Sequence, residues 1–301
     1  MRLKNLFTLL AISLLALTGC GNMKYAWGDR LVACGGRYLY IIDAAASTED
    51  SLVILWNWDV KEAAGQLSGE ALSRSRVLDD CKPAGGGKHI LATSSSGETL
   101  LLDIKSRKIL FHACSPMAHS AEELPRGRII VANSVHAEGN CLQLYDRSRP
   151  DACLWTDSLF AAHGVVWMEK HKRLYALGHT ELRVYSLNDW DSGTPSLVLE
   201  ENHALPSAGG HDLAPCGKDR LLVTNYAGAF VFDPAERTFT PFAPMDGIHH
   251  IKSINYNPET ERVVHTHAET KWWTNHIYMK NPDKVLSFDP AFHLYKVRVM
   301  P

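Results

Sequence analysis

Asp219–Pro234 reads DRLLVTNYAGAFVFDP: a basic residue followed by β-formers, a turn carrying Asn and Gly, then a second apolar run closing on Asp-Pro. Runs of this length, punctuated by turn residues, are read as strands joined in a hairpin. The same device recurs as DRLVACGGRYLYIID from Asp29, GKHILATSSSGETLLLDI from Gly87, GRIIVANSVHAEGNCLQLYD from Gly127 and KRLYALGHTELRVYSL from Lys172. A last copy, ERVVHTHAET from Glu261, rejoins at KVLSFDP from Lys284. The basic residues Arg30, Lys88, Arg128, Arg173, Arg220 and Arg262 are 58, 40, 45, 47 and 42 positions apart. A four-stranded propeller blade repeats at roughly this interval, about 40 to 50 residues.

One hairpin has too little core of its own, whereas sheets stacked around an axis bury both faces. The expected fold is therefore all-β, a six-bladed β-propeller of four-stranded antiparallel blades, with a β-sandwich or β-helix as the competing architecture. No segment carries a helical apolar stripe. Cys20 lies only ten positions before Arg30, which leaves little room for an innermost strand in the first blade. The ring is accordingly expected to close by mixing termini, with FHLYKVRVM (292–300) as an outer strand.

At the N-terminus, Arg2 and Lys4 precede LFTLLAISLLAL and the tetrapeptide Leu17-Thr18-Gly19-Cys20. A short apolar run behind basic residues is a signal-peptide pattern, too short for a comfortable span, and LTGC matches a lipobox whose cysteine is lipidated. The expected division is 1–19 signal peptide, 20–28 tether lipidated at Cys20, and 29–301 one propeller domain in the cell envelope. The net charge is −2 with an isoelectric point near 6.7, and both signs are interspersed, which argues against a nucleic-acid partner. A monomer touching the membrane through its lipid is expected. Six further cysteines, at 34, 81, 114, 141, 153 and 216, form no CxxC pair, so no structural zinc site is expected and their pairing stays open.

In a propeller the innermost strand of each blade precedes the aligned hairpin. Those strands are RVLDDCKP from Arg76, HSAEEL from His119, HGVVWME from His163, GGHDLAP from Gly209 and IKSINYNP from Ile251. Their leading polar residues Asp79, His119, His163, His211 and Lys252 are 40, 44, 48 and 41 positions apart, so they should converge at one mouth of the axial channel. Middle loops add His136, His179, Asn225 and Tyr226. The last repeat carries the insertion HTHAETKWWTNHIYMKNPDK, with His265 and His267 on one strand face, then Glu269, Trp272 and Trp273. Imidazoles and a carboxylate are ligands for a divalent metal ion, and His265, His267 and Glu269 are the candidate set. Adjacent tryptophans offer flat apolar faces on which sugar rings stack.

The chain resembles the six-bladed propeller lipoproteins, of uncharacterised role, found in polysaccharide-degrading Bacteroidota-type bacteria. The resemblance covers most of the chain after the leader. It rests on LVACGGRYLYIIDA with LWNWDV, on HGVVW, on GGHDL, and on IKSINYNPET followed by THAE and WW. It implies a glycan or oligosaccharide ligand. A weaker similarity, to propeller-type polysaccharide lyases such as oligogalacturonate lyase, rests on the His265-Thr266-His267 spacing and implies a metal at an HxH pair.

The chemistry expected of such an enzyme is β-elimination, which needs positive charge against a uronate carboxylate, a base and an acid. A metal, Arg74 or Arg76 would supply the charge, His163, His211 or Lys252 the base and Tyr226 the acid. His119, His136, Asn225, Trp272 and Trp273 would contact substrate. The alternative is a non-catalytic glycan-binding or protein-interaction propeller. Hydrolysis by paired carboxylates is less favoured, because no two acidic residues share a strand register.

Overall fold

The computed structural model describes residues 25–301; the leader and Cys20 lie outside the described residues. The first sheet contains β1 (Arg30–Gly35), β2 (Tyr38–Thr48) and β3 (Ser51–Asp59). A short helix, α1 (Gly69–Arg74), capped by the Ser68 hydroxyl on the Ala71 amide, fills the longer first interval. Three antiparallel four-stranded sheets follow. They are β4 (Leu78–Ala84), β5 (His89–Ser94), β6 (Glu98–Asp103) and β7 (Ile109–Cys114); β8 (Ala118–Leu124), β9 (Arg128–Asn133), β10 (Cys141–Asp146) and β11 (Arg149–Ser158); and β12 (Gly164–Met168), β13 (Arg173–Leu177), β14 (Glu181–Asn188) and β15 (Ser196–Ala204).

The next two groups are β16 (Asp212–Cys216), β17 (Arg220–Asn225), β18 (Gly228–Asp233) and β19 (Thr238–Pro241), then β20 (Ile251–Asn257), β21 (Arg262–His267), β22 (His276–Lys280) and β23 (Lys284–Ser287). They are joined into one eight-stranded sheet only through a parallel pairing of Cys216 with Tyr256. The chain ends in β24 (Leu294–Val299), which pairs with β1. The termini do share a sheet, but the expected outer strand is an inner one. In the order β24-β1-β2-β3, the edge strand on the solvent side is β3, where Ile54 and Leu55 are exposed, whereas Leu294 and Val297 are fully buried.

The lead strands touch in succession: β24 meets β4, β4 meets β8, β8 meets β12, β12 meets β16, β16 meets β20, and β20 meets β24. Apolar clusters lie between successive sheets; Ile130, Leu142, Val165 and Leu174, for example, bury the facing sides of the third and fourth. A close approach locks the terminal strand in place, since a side chain at Gly35 would strike the backbone carbonyls of His293 and Phe292.

Beneath the first turn of the lead strands lies a fully buried charge network. Arg298 donates from Nε to Asp80 Oδ1 and from Nη2 to Asp80 Oδ2, both at 2.8 Å, and from Nη2 to Asp212 Oδ1 at 2.6 Å. Lys296 Nζ lies 3.0 Å from Asp212 Oδ1 and 3.7 Å from Asp80 Oδ2. Ser120 Oγ and the Ile254 amide complete the acceptor sites of the two carboxylates. Burial by itself raises the Asp80 pKa, yet the charges of Arg298 and Lys296 overcome it and hold the carboxyl below its usual value.

Removing one member strands the others in a water-poor interior, which costs about 3–5 kcal/mol. Arg298→Met is therefore expected to lower the unfolding free energy obtained from urea titration by that amount, and Arg298→Lys to recover part of it. Asp80 and Asp212 both have depressed folded pKa values, so their contribution is present above the unfolded carboxyl range and is lost as pH falls below about 4. Unfolding titrations at pH 5 and pH 3 are expected to show a steeper acid loss in the wild type than in the double variant Asp80→Asn/Asp212→Asn.

Candidate functional site

At the opposite end of the lead strands from the chain's entry by Trp27, a cavity of about 610 Å³ opens onto the axis. Asp79, His119, His163, His211, Lys252 and Tyr295 all line it. These are the leading residues of the lead strands. In three of the strands a β-bulge makes the placement. Register slips between Leu78 and Asp80, between Ala118 and Ser120, and between Ile251 and Ser253, so that Asp79, His119 and Lys252 are extra residues in their ladders. A bulge bends the strand and re-aims one side chain. Here it sends Asp79, His119 and Lys252 to the cavity, while Asp80, Ser120 and Ser253 face the layer below.

The imidazoles form a contiguous row. Ring centroids of His119 and His163 are 4.5 Å apart, and those of His163 and His211 are 5.5 Å apart. His119 Nδ1 lies 3.0 Å from the Met117 carbonyl and His163 Nδ1 lies 2.8 Å from the Ala161 carbonyl. A carbonyl can only accept, so both rings carry their proton on Nδ1 and keep an Nε2 lone pair with no hydrogen-bond partner among the described residues. Burial pushes all three imidazoles toward the neutral form; His119 and His211 reinforce it for His163, and Lys252 reinforces it for His211, which falls to about 2. Burial also raises Asp79, the one carboxylate among the described residues that line the cavity, which accepts from the Ser95 amide.

Lys252 Nζ sits 3.1 Å from His211 Nε2 and 5.7 Å from the Trp272 ring centroid. Burial, with help from the charge of Lys296, lowers its pKa to about 8. Aromatic walls complete the site. Trp272 is 65% exposed, Trp273 stacks on His293 at 4.6 Å, and Tyr226 stands 5.4 Å from His211. The GG of GGHDLAP explains the fit of Tyr226. Gly209, at φ +80°, lies against its ring where a side chain would collide, and Gly210 packs on the Gly178 carbonyl.

Of the residues expected from the sequence, His119, His163, His211, Lys252, Tyr226, Trp272 and Trp273 come together in this cavity. Arg74 does not: its charge is held by Glu98 at 2.7 Å and Glu70 at 2.5 Å. Arg76 donates to the Ser73 carbonyl and lines a separate surface depression with Arg37 and Lys61. His136 is exposed and accepts from the Glu138 amide. Asn225 is buried beneath its turn, where its Oδ1 accepts from the amides of Ala227 and Gly228.

The three candidate metal ligands also stay apart from the cavity. His265 and His267 stack with Tyr278, and Glu269 accepts from Thr274, Tyr278 and His276. Among the described residues no group of three or more His, Cys, Asp or Glu side chains is arranged to hold a metal ion. Missed from the sequence were Tyr295, Phe160 and His293. Placing 292–300 on the outside hid Tyr295 and His293; its YK pair, in step with DD at Asp79 and KS at Lys252, was the available signal.

The model of a family of unknown function (DUF6528) matches residues 31–301, nearly everything described here. The chain belongs to that family. No curated protein matches the chain in sequence. Among solved structures, a protein of unknown function from Bacteroides caccae is similar at a TM-score of 0.59 and 11% identity, over 90% of this chain and 98% of that one. The β-propeller domain of Cps50 (Swd1) from Myceliophteria thermophila is similar at a TM-score of 0.52 and 10% identity, over 81% of this chain and 91% of that one. At such identities the likeness speaks for the fold alone, and this DUF6528 member is an all-β protein of β-propeller type.

Each buried imidazole refuses a proton that the unfolded chain accepts, so its contribution to stability declines as pH falls below about 6.5. His163→Asn is expected to flatten the loss of unfolding free energy between pH 7 and pH 5 by up to about 2 kcal/mol relative to wild type, measured by urea titration at each pH. Nitrogen-15 spectra are expected to show the Nδ1–H tautomer for His119 and His163 throughout that range.

Proposed function

We propose that this cavity is a glycan site on a six-bladed, lipid-anchored propeller. The observation that carries the reading is Trp272, a tryptophan left 65% exposed over a cavity whose floor presents imidazole lone pairs and an amine. A sugar ring offers an apolar face to an indole and a rim of hydroxyl donors to acceptors such as Nε2. The resemblance to propeller lipoproteins of glycan-degrading bacteria points the same way. Six blades are supported by the closed succession of lead-strand contacts from β4 round to β24 and back. A lipid on Cys20, a few residues before Trp27, would hold the far end of the axis to the membrane and turn the imidazole cavity away from it.

Elimination at the same place is the second reading, favoured by neutral imidazoles with free lone pairs. With Arg74 and Arg76 turned elsewhere, Lys252 is the cation available to face a uronate, His163 or His211 the base and Tyr226 the acid. Binding without catalysis makes no such demand, and so leads.

Calorimetry of the mature protein against acidic and neutral oligosaccharides is expected to give saturable binding, weakened about tenfold in Trp272→Ala. Absorbance of unsaturated products, followed with and without chelator, tests elimination; His163→Ala and His211→Ala are expected to abolish any such signal with the fold intact. Absence of binding across the panel would overturn the glycan reading.

A further inference from the structure

Two lysines, Lys252 and Lys296, are buried around the axis at 2% and 1% exposure. Their surroundings differ in kind. Lys296 has Asp212 at 3.0 Å and Asp80 at 3.7 Å. Lys252 has no carboxylate within ion-pair distance among the described residues; its one hydrogen-bond partner is His211 Nε2, and the rings of Trp272 and Tyr295 stand 5.7 and 5.9 Å away. The hub acids are already committed to Arg298 and Lys296, and the positive charge of Lys296 acts on Lys252 as a repulsion.

A buried ammonium with no counter-ion is unfavourable, so the uncharged amine is populated near neutral pH. An uncharged lysine amine in a desolvated, aromatic-walled cavity is a nucleophile toward carbonyl carbon. The β-bulge at Lys252 holds this amine on the cavity lining rather than in the layer of fixed charges below.

We propose that Lys252 is an imine-forming lysine and that the cavity takes a polyhydroxylated aldehyde or ketone, the open-chain form of a reducing sugar. The inference rests on the reading of the cavity as a sugar site and names the reactive form of the ligand. The Nζ lone pair adds to the carbonyl carbon while the C=O π pair moves to oxygen. Two protons then pass in turn from Nζ to that oxygen through water at the open mouth of the cavity, the first giving the carbinolamine and the second releasing the oxygen as water, leaving C=N in place of C=O. One amine and one carbonyl give one imine and one water, with no change of oxidation state. His211 Nε2 is the acceptor that orients the Nζ amine in the cavity, and the lone pairs on His119 and His163 are left to accept from the ligand hydroxyls.

The test is reductive trapping on the intact chain. The protein is incubated with D-glyceraldehyde and cyanoborohydride, digested, and every lysine scored by mass spectrometry. Lys252 is expected to carry the reduced adduct at least tenfold faster than Lys170 and Lys172, whose side chains are 61% and 64% exposed. His211→Asn is expected to slow labelling at Lys252 and leave the exposed lysines unchanged. Labelling of Lys252 no faster than of those lysines overturns the proposal.

A methyl glycoside, which has no free carbonyl, separates this inference from the one beneath it. If methyl glycosides bind and Lys252 stays unlabelled, the glycan reading stands and the imine falls. If Lys252 is labelled and no glycoside binds, the imine stands and the stacking site falls. Lys252→Arg keeps the charge without the nucleophile and is expected to bind methyl glycosides; should that variant not fold, the position of the label in the wild type still decides.

Discussion

The structure depends on a neutral quartet of buried charges, Asp80 and Asp212 against Lys296 and Arg298. Its members come from three lead strands far apart in sequence, and both cations lie on the C-terminal strand β24. Hydrophobic burial between sheets is non-directional and would tolerate several arrangements around the axis. Paired carboxylates buried with a guanidinium tolerate few, because a misplaced member leaves an uncompensated charge. The quartet thus specifies where β24 goes, and β24 joins the first sheet to the last residues of the chain.

The same quartet lies beneath the imidazole cavity, where Lys296 Nζ donates to the His211 carbonyl, and tunes it. Asp79 and Asp80, His119 and Ser120, Lys252 and Ser253 are neighbours in sequence, yet a bulge sends the first of each pair upward and the second down. The lower layer holds fixed ions with satisfied partners; the upper layer holds side chains driven toward their neutral forms by burial. Lys296 is a bridge between the two, since its charge presses on His119, His163, His211 and Lys252 alike. A row of imidazole lone pairs above an electroneutral layer of buried ions is the result. Such groups are suited to accepting hydrogen bonds.

Membership of the DUF6528 family and likeness to propellers at 10–11% identity constrain the scaffold without constraining the chemistry. The chemistry must be argued from the side chains that the scaffold brings to its axis. Here those are a neutral row of imidazoles, one unpaired amine and an exposed indole. On that combination the proposed glycan reading rests.

The sequence by itself determined the repeat and most of the axial row. Strand runs at blade-like spacing and polar residues at matching offsets are local patterns, and Asp79, His119, His163, His211 and Lys252 are where those offsets place them. Tertiary structure alone decided which charges are free. Arg74 is attractive as a cation until Glu98 is found on it; its pairing with Glu70 is a local helical contact four residues apart, but nothing in the sequence shows the contact with Glu98. His265 and His267 have metal-ligand spacing, and on the folded strand their rings stack beside Tyr278, away from the axial cavity. Tyr295 escaped notice because closure by the C-terminal strand is a long-range event, with β24 pairing to a strand more than 250 residues earlier. Periodicity is written in neighbours along the chain; pairing of buried charges is settled only when distant strands meet, because desolvation makes each charge's environment depend on every side chain packed around it.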